Sequence, residues 1–153
     1  MDDQKKLIDG EKIICVSGGF DPIHVGHVRM IQDAARLGKV IVIANSDAWL
    51  VRKKGYVFMS YQERQEILYA IKGVVDVCEA NDKDDTVCET LKIIKPHIFA
   101  NGGDRGNKNT PEMEVCKALG IQMIWGIGGN DKPQSSSWLV DKAIAQRKHT
   151  NKK

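Results

Sequence analysis

The sequence predicts a three-layer α/β sandwich, a five-stranded parallel sheet with helices on both faces. Two observations carry this. Five short apolar runs, rich in β-branched residues, recur along the chain: Ile13–Val16, Val40–Ala44, Val74–Cys78, Ile98–Ala100 and Ile121–Trp125. Each is followed by a segment with helical spacing and end signals, and strands alternating with helices give parallel pairing through right-handed crossovers. Continuous apolar runs, rather than alternating ones, suit strands covered on both faces.

The helical segments follow in order. Val28, Ile31 and Ala35 share one face of a first helix that stops at Gly38. Ser60-Tyr61-Gln62-Glu63 has the spacing of a capping box and opens a helix burying Ile67, Leu68 and Ile71, with a stop at Gly73. Val87, Leu91 and Ile94 mark a third helix, ended by Pro96. Thr110-Pro111 supplies a cap and a first-turn proline to a fourth, which ends at Gly120. Ser135 or Ser136 caps a last helix carrying Leu139, Val140, Ala143 and Ile144. The stretch after the second strand, including Lys53 and Lys54, reads as mobile. No repeat, low-complexity tract or linker is visible, so residues 1–153 read as one domain with a folded core over about 12–146.

Composition narrows the class. The 153 residues are 42% hydrophobic and 28% charged, ordinary for a globular domain of this size. A net charge of +3, much of it in Arg147, Lys148, Lys152 and Lys153, gives no electrostatic case for nucleic acid. Cys15, Cys78, Cys88 and Cys116 lack metal-ligand or redox spacing and read as buried free thiols. Residues 1–10 are polar and charged, unlike a secretory signal, and no apolar stretch approaches the ~20 residues of a membrane span. The expected location is the cytoplasm.

The sharpest local signal follows the first strand: Ser17-Gly18-Gly19-Phe20-Asp21-Pro22-Ile23-His24-Val25-Gly26-His27. Glycines directly after a strand let the backbone turn tightly and approach a ligand. His24 and His27, three apart at a helix start, face the same way, and the N–H groups there favour an anion. A phosphate chain is the natural occupant, with Gly26 leaving space between the imidazoles. His-x-x-His also suits zinc, but no third ligand stands at convincing spacing, so no metal site is expected. The G-x-G-x-x-G dinucleotide pattern is absent.

This loop resembles the G-x-F-D-x-x-H-x-G-H signature of cytidylyltransferase-like nucleotidyltransferases, and the resemblance runs from about Ile13 to Ala145. Asn45-Ser46-Asp47 with Arg52-Lys53-Lys54-Gly55 is similar to a segment of the heptose-1-phosphate adenylyltransferases. Tyr61-Gln62-Glu63-Arg64, Gly102-Gly103-Asp104 and Ser135-Ser136-Ser137 resemble three further family segments, in the family's order. Class I aminoacyl-tRNA synthetases share the histidine motif, but Phe58-Met59-Ser60-Tyr61 does not substitute for their K-M-S-K-S loop.

The resemblance implies a Rossmann-like fold of nucleotidyltransferase type. It implies transfer of a nucleoside monophosphate from ATP or CTP to a small phosphorylated acceptor, a sugar or polyol phosphate, with release of pyrophosphate. Mg2+ would accompany the triphosphate; a homodimer is possible, without membrane or nucleic-acid partner. His24, His27, Lys53, Lys54 and Arg64 are the implied catalytic residues. Gly18, Gly19, Phe20, Asp21, Gly26, Asp104, Ser135, Ser136 and Ser137 would bind nucleotide. Asp47, Arg105 and Lys132 would bind the acceptor. One departure matters: Gly128–Gln134 contains no arginine where cytidylyl-transferring relatives commonly have one, and Lys132 is the available cation. Nicotinate or nicotinamide mononucleotide is the alternative acceptor, flavin or pantetheine phosphate ranks lower, and a non-catalytic nucleotide-binding module is the reading from another class.

Overall fold

The computed structural model describes residues 11–103, 110–129 and 135–151. Along the chain run β1 (Ile13–Gly18), α1 (Val25–Ala35), β2 (Lys39–Ala44), α2 (Asp47–Lys54), α3 (Tyr61–Tyr69), β3 (Val74–Glu79), α4 (Cys88–Ile94), β4 (Ile98–Ala100), α5 (Pro111–Leu119), β5 (Gln122–Ile124) and α6 (Ser136–Asn151). The five strands form one sheet in the order β3-β2-β1-β4-β5, parallel throughout. All five expected strands are therefore present, within one or two residues of their expected ends.

Strand alternation divides the core. Ile14, Val16, Val40 and Val42 pack with Ile31 and Ala34 of α1 and Leu68 of α3 on one face. Ile13, Cys15, Ile41 and Ile43 pack with Leu91 and Ile94 of α4 and Cys116 of α5 on the other. Successive side chains of a strand point to opposite faces, so a strand covered on both sides must be apolar at every position. All four cysteines are free; Cys15, Cys88 and Cys116 are buried and Cys78 is half-buried.

Register sets the height of the site. Gly18 pairs with Ala44, and Ala44 with Glu79, so β1, β2 and β3 finish level at one edge. The order reverses between β1 and β4, where doubly wound sheets hold ligands beyond the strand ends. The chain emerging from β1 at that point is the glycine–histidine loop.

Three expectations change. Residues after β2 form a helix, α2, capped by Ser46 Oγ accepting from Trp49 N–H and closed by left-handed Gly55 (φ 85°). Ile67 of α3 is exposed while Leu68 is fully buried, and α3 ends at Tyr69, short of Gly73. Ser60 Oγ accepts from Glu63 N–H, the first half of the expected capping box. In α6, Ala143 and Ile144 are exposed although the apolar spacing predicted an inward face.

Candidate active site

The histidine pair is built by the start of α1. His24 is the N-cap, in extended conformation, and its Nδ1 accepts from Gly26 N–H at 3.0 Å. Its own backbone N–H donates to Nδ1 of His27 at 3.2 Å. Each δ nitrogen thus serves as an acceptor, which requires a lone pair there and leaves the ring proton on Nε2 in the neutral form. The rings stack with centroids 3.8 Å apart and 25° between planes, and Phe20 meets His27 edge-on at 4.9 Å. Burial, reinforced by His24 and by the Lys54 ammonium, pushes the His27 pKa down to about 3. His27 is therefore an uncharged donor at neutral pH, with its tautomer and orientation fixed by backbone.

The loop before the histidines is held from two sides. Phe20 is buried with a left-handed backbone (φ 53°). The Asp21 carboxylate, wholly buried, accepts from Phe58 N–H and Met59 N–H, both at 2.6 Å. The side chain thus fastens the segment before α3 to the glycine loop, and the backbone of this turn is the part expected to approach nucleotide. Gly19 abuts α2 so closely that a Cβ there would lie 3.1 Å from Leu50 Cδ2 and 3.9 Å from Trp49 Cζ3. Close packing against Leu50 therefore favours glycine at this position.

Arg64 calls for a correction. It has no exposed surface; Nε donates to Met59 O at 3.0 Å, Nη1 to Gly19 O at 2.8 Å and Asn45 O at 2.7 Å, and Nη2 to Asp47 Oδ1 at 2.7 Å. The guanidinium is spent on the protein, joining the ends of β1 and β2 to the start of α3. Asp47, expected on the acceptor, accepts from Arg64 and from Tyr61 N–H at 2.9 Å through the same oxygen. Arg64 thus supports the site from behind it, while the Asp47 side chain stays 46% exposed.

The two lysines separate. Lys54 donates from Nζ to Asp21 O at 3.1 Å, close enough to His27 to depress its pKa. Lys53 is exposed and lies over the Trp49 ring, 5.9 Å from its centroid. At the opposite end of the chain, Ser136 Oγ donates to Pro22 O at 2.7 Å, bringing the start of α6 to the histidine loop. Ser135 O accepts from Leu139 N–H, and Ser137 is exposed. Asp104, Arg105 and Lys132 lie outside the described residues.

Beyond β4, Gly102 rests on α1, where a Cβ would lie 3.1 Å from Met30 Sδ. Gly126 N–H donates to Gly103 O at 3.0 Å, and Gly128 N–H to Asp33 Oδ2 of α1 at 2.8 Å. The loops after β4 and β5 thus lie along the helix that carries the histidines.

Asp82 went unnoticed in the sequence. Its buried carboxylate accepts from Asn45 Nδ2, Ser46 N–H and Ser46 Oγ at 3.1, 2.8 and 2.6 Å, fixing the turn between β2 and α2. It sits in the polar run Asn81–Asp85, which carries no periodic signal. Among the described residues no His, Cys, Asp and Glu group is arranged to hold a metal ion, and no helix is long and apolar enough to cross a membrane.

Comparisons with known proteins bear on the family and the fold. The "Bifunctional protein HldE" of Syntrophotalea carbinolica is 40% identical over 113 residues, 72% of this chain and 22% of that protein. Its namesake from Pelobacter propionicus is 36% identical over 140 residues, 88% of this chain and 28% of that one. The chain thus spans about a quarter of the length of these relatives. The lipopolysaccharide core biosynthesis protein of Thermoplasma volcanium has the same fold, with a TM-score of 0.63 and 21% identity over 80% of this chain and all of that one. A Vibrio parahaemolyticus protein provisionally named nicotinate-nucleotide adenylyltransferase shares the fold at a TM-score of 0.56 and 15% identity, over 89% of this chain and 88% of that one. The model of the cytidylyltransferase-like family matches residues 15–124, from β1 through β5. With its stacked histidines at the head of the first helix, the chain belongs to the cytidylyltransferase-like family of nucleotidyltransferases.

Proposed function

We propose that the chain transfers an adenylyl group from ATP to a sugar 1-phosphate, with heptose 1-phosphate the leading acceptor and pyrophosphate the leaving group. The observation that carries the reading is the stacked pair of imidazoles, each with Nδ1 engaged by backbone. An acceptor phosphate oxygen attacks the α-phosphorus as the bond to the bridging α–β oxygen breaks, and the electron pair leaves with pyrophosphate. No covalent enzyme intermediate is needed; positioning and stabilisation of the migrating charge do the work. Neutral Nε2–H donors suit this step, because their hydrogen bonds strengthen as charge builds on the leaving group and no proton has to be lost.

Lys54, alongside Asp21 and His27, supplies the cation between acceptor phosphate and α-phosphate. Ser136, tied to Pro22, brings the α6 N-terminus toward the β- and γ-phosphates. Mg2+ would arrive as the counter-ion of the triphosphate and shield its charge. The preference for ATP and for heptose rests on the similarity of Asn45-Ser46-Asp47 and Gly102-Gly103-Asp104 to segments of the heptose enzymes.

The test is pyrophosphate release from ATP or CTP with sugar 1-phosphates, glycerol 3-phosphate and nicotinate mononucleotide. Release with ATP and a sugar 1-phosphate is expected, and His27→Ala should lower kcat by about 10²–10³-fold, the scale of losing one such donor. Tight nucleotide binding without turnover on any acceptor would favour a nucleotide-binding module; turnover on nicotinate mononucleotide alone would replace the acceptor.

A further inference from the structure

Helix α2 carries Lys54 to the histidine loop yet is barely held by packing. Of its eight residues only Leu50 is buried. A surface helix is ordinarily fixed by an apolar stripe against the core, so the position of α2 must be set by polar contacts. Lys54 reaches Asp21 O on a flexible four-carbon stem and makes a bond of 3.1 Å there. Where its ammonium stands therefore depends on where the helix stands.

Arg52 holds the helix from its other side. Leu50 and Lys54, four apart, face Gly19 and Asp21. Arg52, two residues from each, projects the opposite way, toward the loop after β3. There Nη2 donates to Asp82 O at 2.8 Å, while Nε and Nη2 donate to Asp85 Oδ1 at 3.2 and 3.1 Å. The Asp82 carboxylate already holds the start of α2, through Ser46 N–H and Oγ. One residue thus grips the helix twice, by its carboxylate at the cap and by its carbonyl at Arg52.

The loop is shaped for this contact. Asp85 has a left-handed backbone (φ 65°), a conformation uncommon outside glycine. Its N–H donates to Asp82 O at 2.9 Å, so that Asp82 O and Asp85 Oδ1 converge on one guanidinium. Asn81 N–H donates to Thr90 Oγ1 at 2.9 Å, anchoring the loop on α4. The ion pair itself is exposed, 43% at Arg52 and 56% at Asp85, and such pairs add little stability. Placement of α2, more than stability, is what the contact provides.

We propose that Arg52, gripped by Asp82 and Asp85, is a positioning residue: it sets α2 against the glycine loop and so keeps Lys54 Nζ on Asp21 O, beside the histidine pair. The inference rests on the reading of Lys54 as the cation between the two phosphates, and adds to it the contact that aims that cation.

The experiment is a double-mutant cycle of Arg52→Met and Lys54→Met, with Arg52→Lys as the conservative variant. Arg52→Met keeps the stem and removes the guanidinium. It should lower kcat for pyrophosphate release from ATP and a sugar 1-phosphate roughly 5- to 20-fold with KM for ATP unchanged, because a small displacement of a catalytic group is costly. Tm should move by no more than about 4 °C. Arg52→Lys should recover part of the rate. In the Lys54→Met background the same change should lower kcat by less than about 2-fold, since the group it positions is gone. An equal loss in both backgrounds, an effect confined to KM for ATP, or an unchanged kcat in Arg52→Met would overturn the proposal. Acetic anhydride labelling of the full chain, read by mass spectrometry, tests position without turnover. Lys54 should acetylate more slowly than exposed Lys53 in wild type, and the difference should vanish in Arg52→Met. A ratio that the substitution leaves unchanged would also overturn it. If wild type releases no pyrophosphate but the labelling ratio depends on Arg52, the transfer reaction fails while the positioning of Lys54 stands.

Discussion

Arg64 offers the clearest separation between a residue that touches substrate and one that builds the site. Replacement by Met keeps most of the aliphatic stem and removes the guanidinium. Three backbone carbonyls, Gly19 O, Asn45 O and Met59 O, then lose their donor, and Asp47 loses its cation. Each unsatisfied buried acceptor costs about 1–3 kcal/mol, and removing one partner of a buried ion pair about 3–5 kcal/mol in all. Because the Asp47 side chain is 46% exposed and regains water, the lower end applies, about 3 kcal/mol. For a chain of this size that is a fall in Tm of roughly 6–12 °C. Arg64→Lys should recover only part of it, since one ammonium cannot span three carbonyls converging from separate segments. Calorimetry or dye-monitored melting reads the shift, and kcat/KM well below the new Tm should drop by no more than about 10-fold. A variant that melts with wild type yet has lost turnover by orders of magnitude would refute the reasoning and return Arg64 to the substrate.

Two further outcomes are expected. Folded His27 takes up a proton only near pH 3, whereas the unfolded chain does so near 6.5. The unfolded state therefore binds more protons between those values, and stability must fall as pH is lowered from 6.5 toward 3. The fall in Tm between pH 7 and 4.5 should be smaller in His27→Gln than in wild type, and equal slopes would contradict the buried neutral ring. Asp21→Ala removes the acceptor of Phe58 N–H and Met59 N–H and should cost about 1–3 kcal/mol. Hydrogen exchange should show residues 55–60 losing protection first, and protection unchanged there would dismiss the clamp.

Much of the framework was legible in the residues because its causes are local. Apolar runs bounded by glycine and proline mark strands whatever their neighbours do, and His24 and His27 share a face because three residues make nearly one helical turn. α2 escaped notice for a physical reason. Asp47–Lys54 buries only Leu50, so it has no apolar period, and its evidence lay in a serine cap and a terminal glycine read as loop residues. α6 failed in the opposite sense, its apolar spacing meeting no packed face at Ala143 and Ile144.

The chain's own order established the parallel sheet, the glycine turn after β1 and the paired imidazoles, since each needs only residues within a few positions of one another. Tertiary contacts alone decided the division of labour around them. Lys54 rather than Lys53 stands near His27; Asp21 binds backbone 37 and 38 residues away; Arg64 reaches carbonyls 19 and 45 residues distant. A charged side chain's task depends on which oxygens surround it after folding, and those come from segments whose meeting no local pattern encodes.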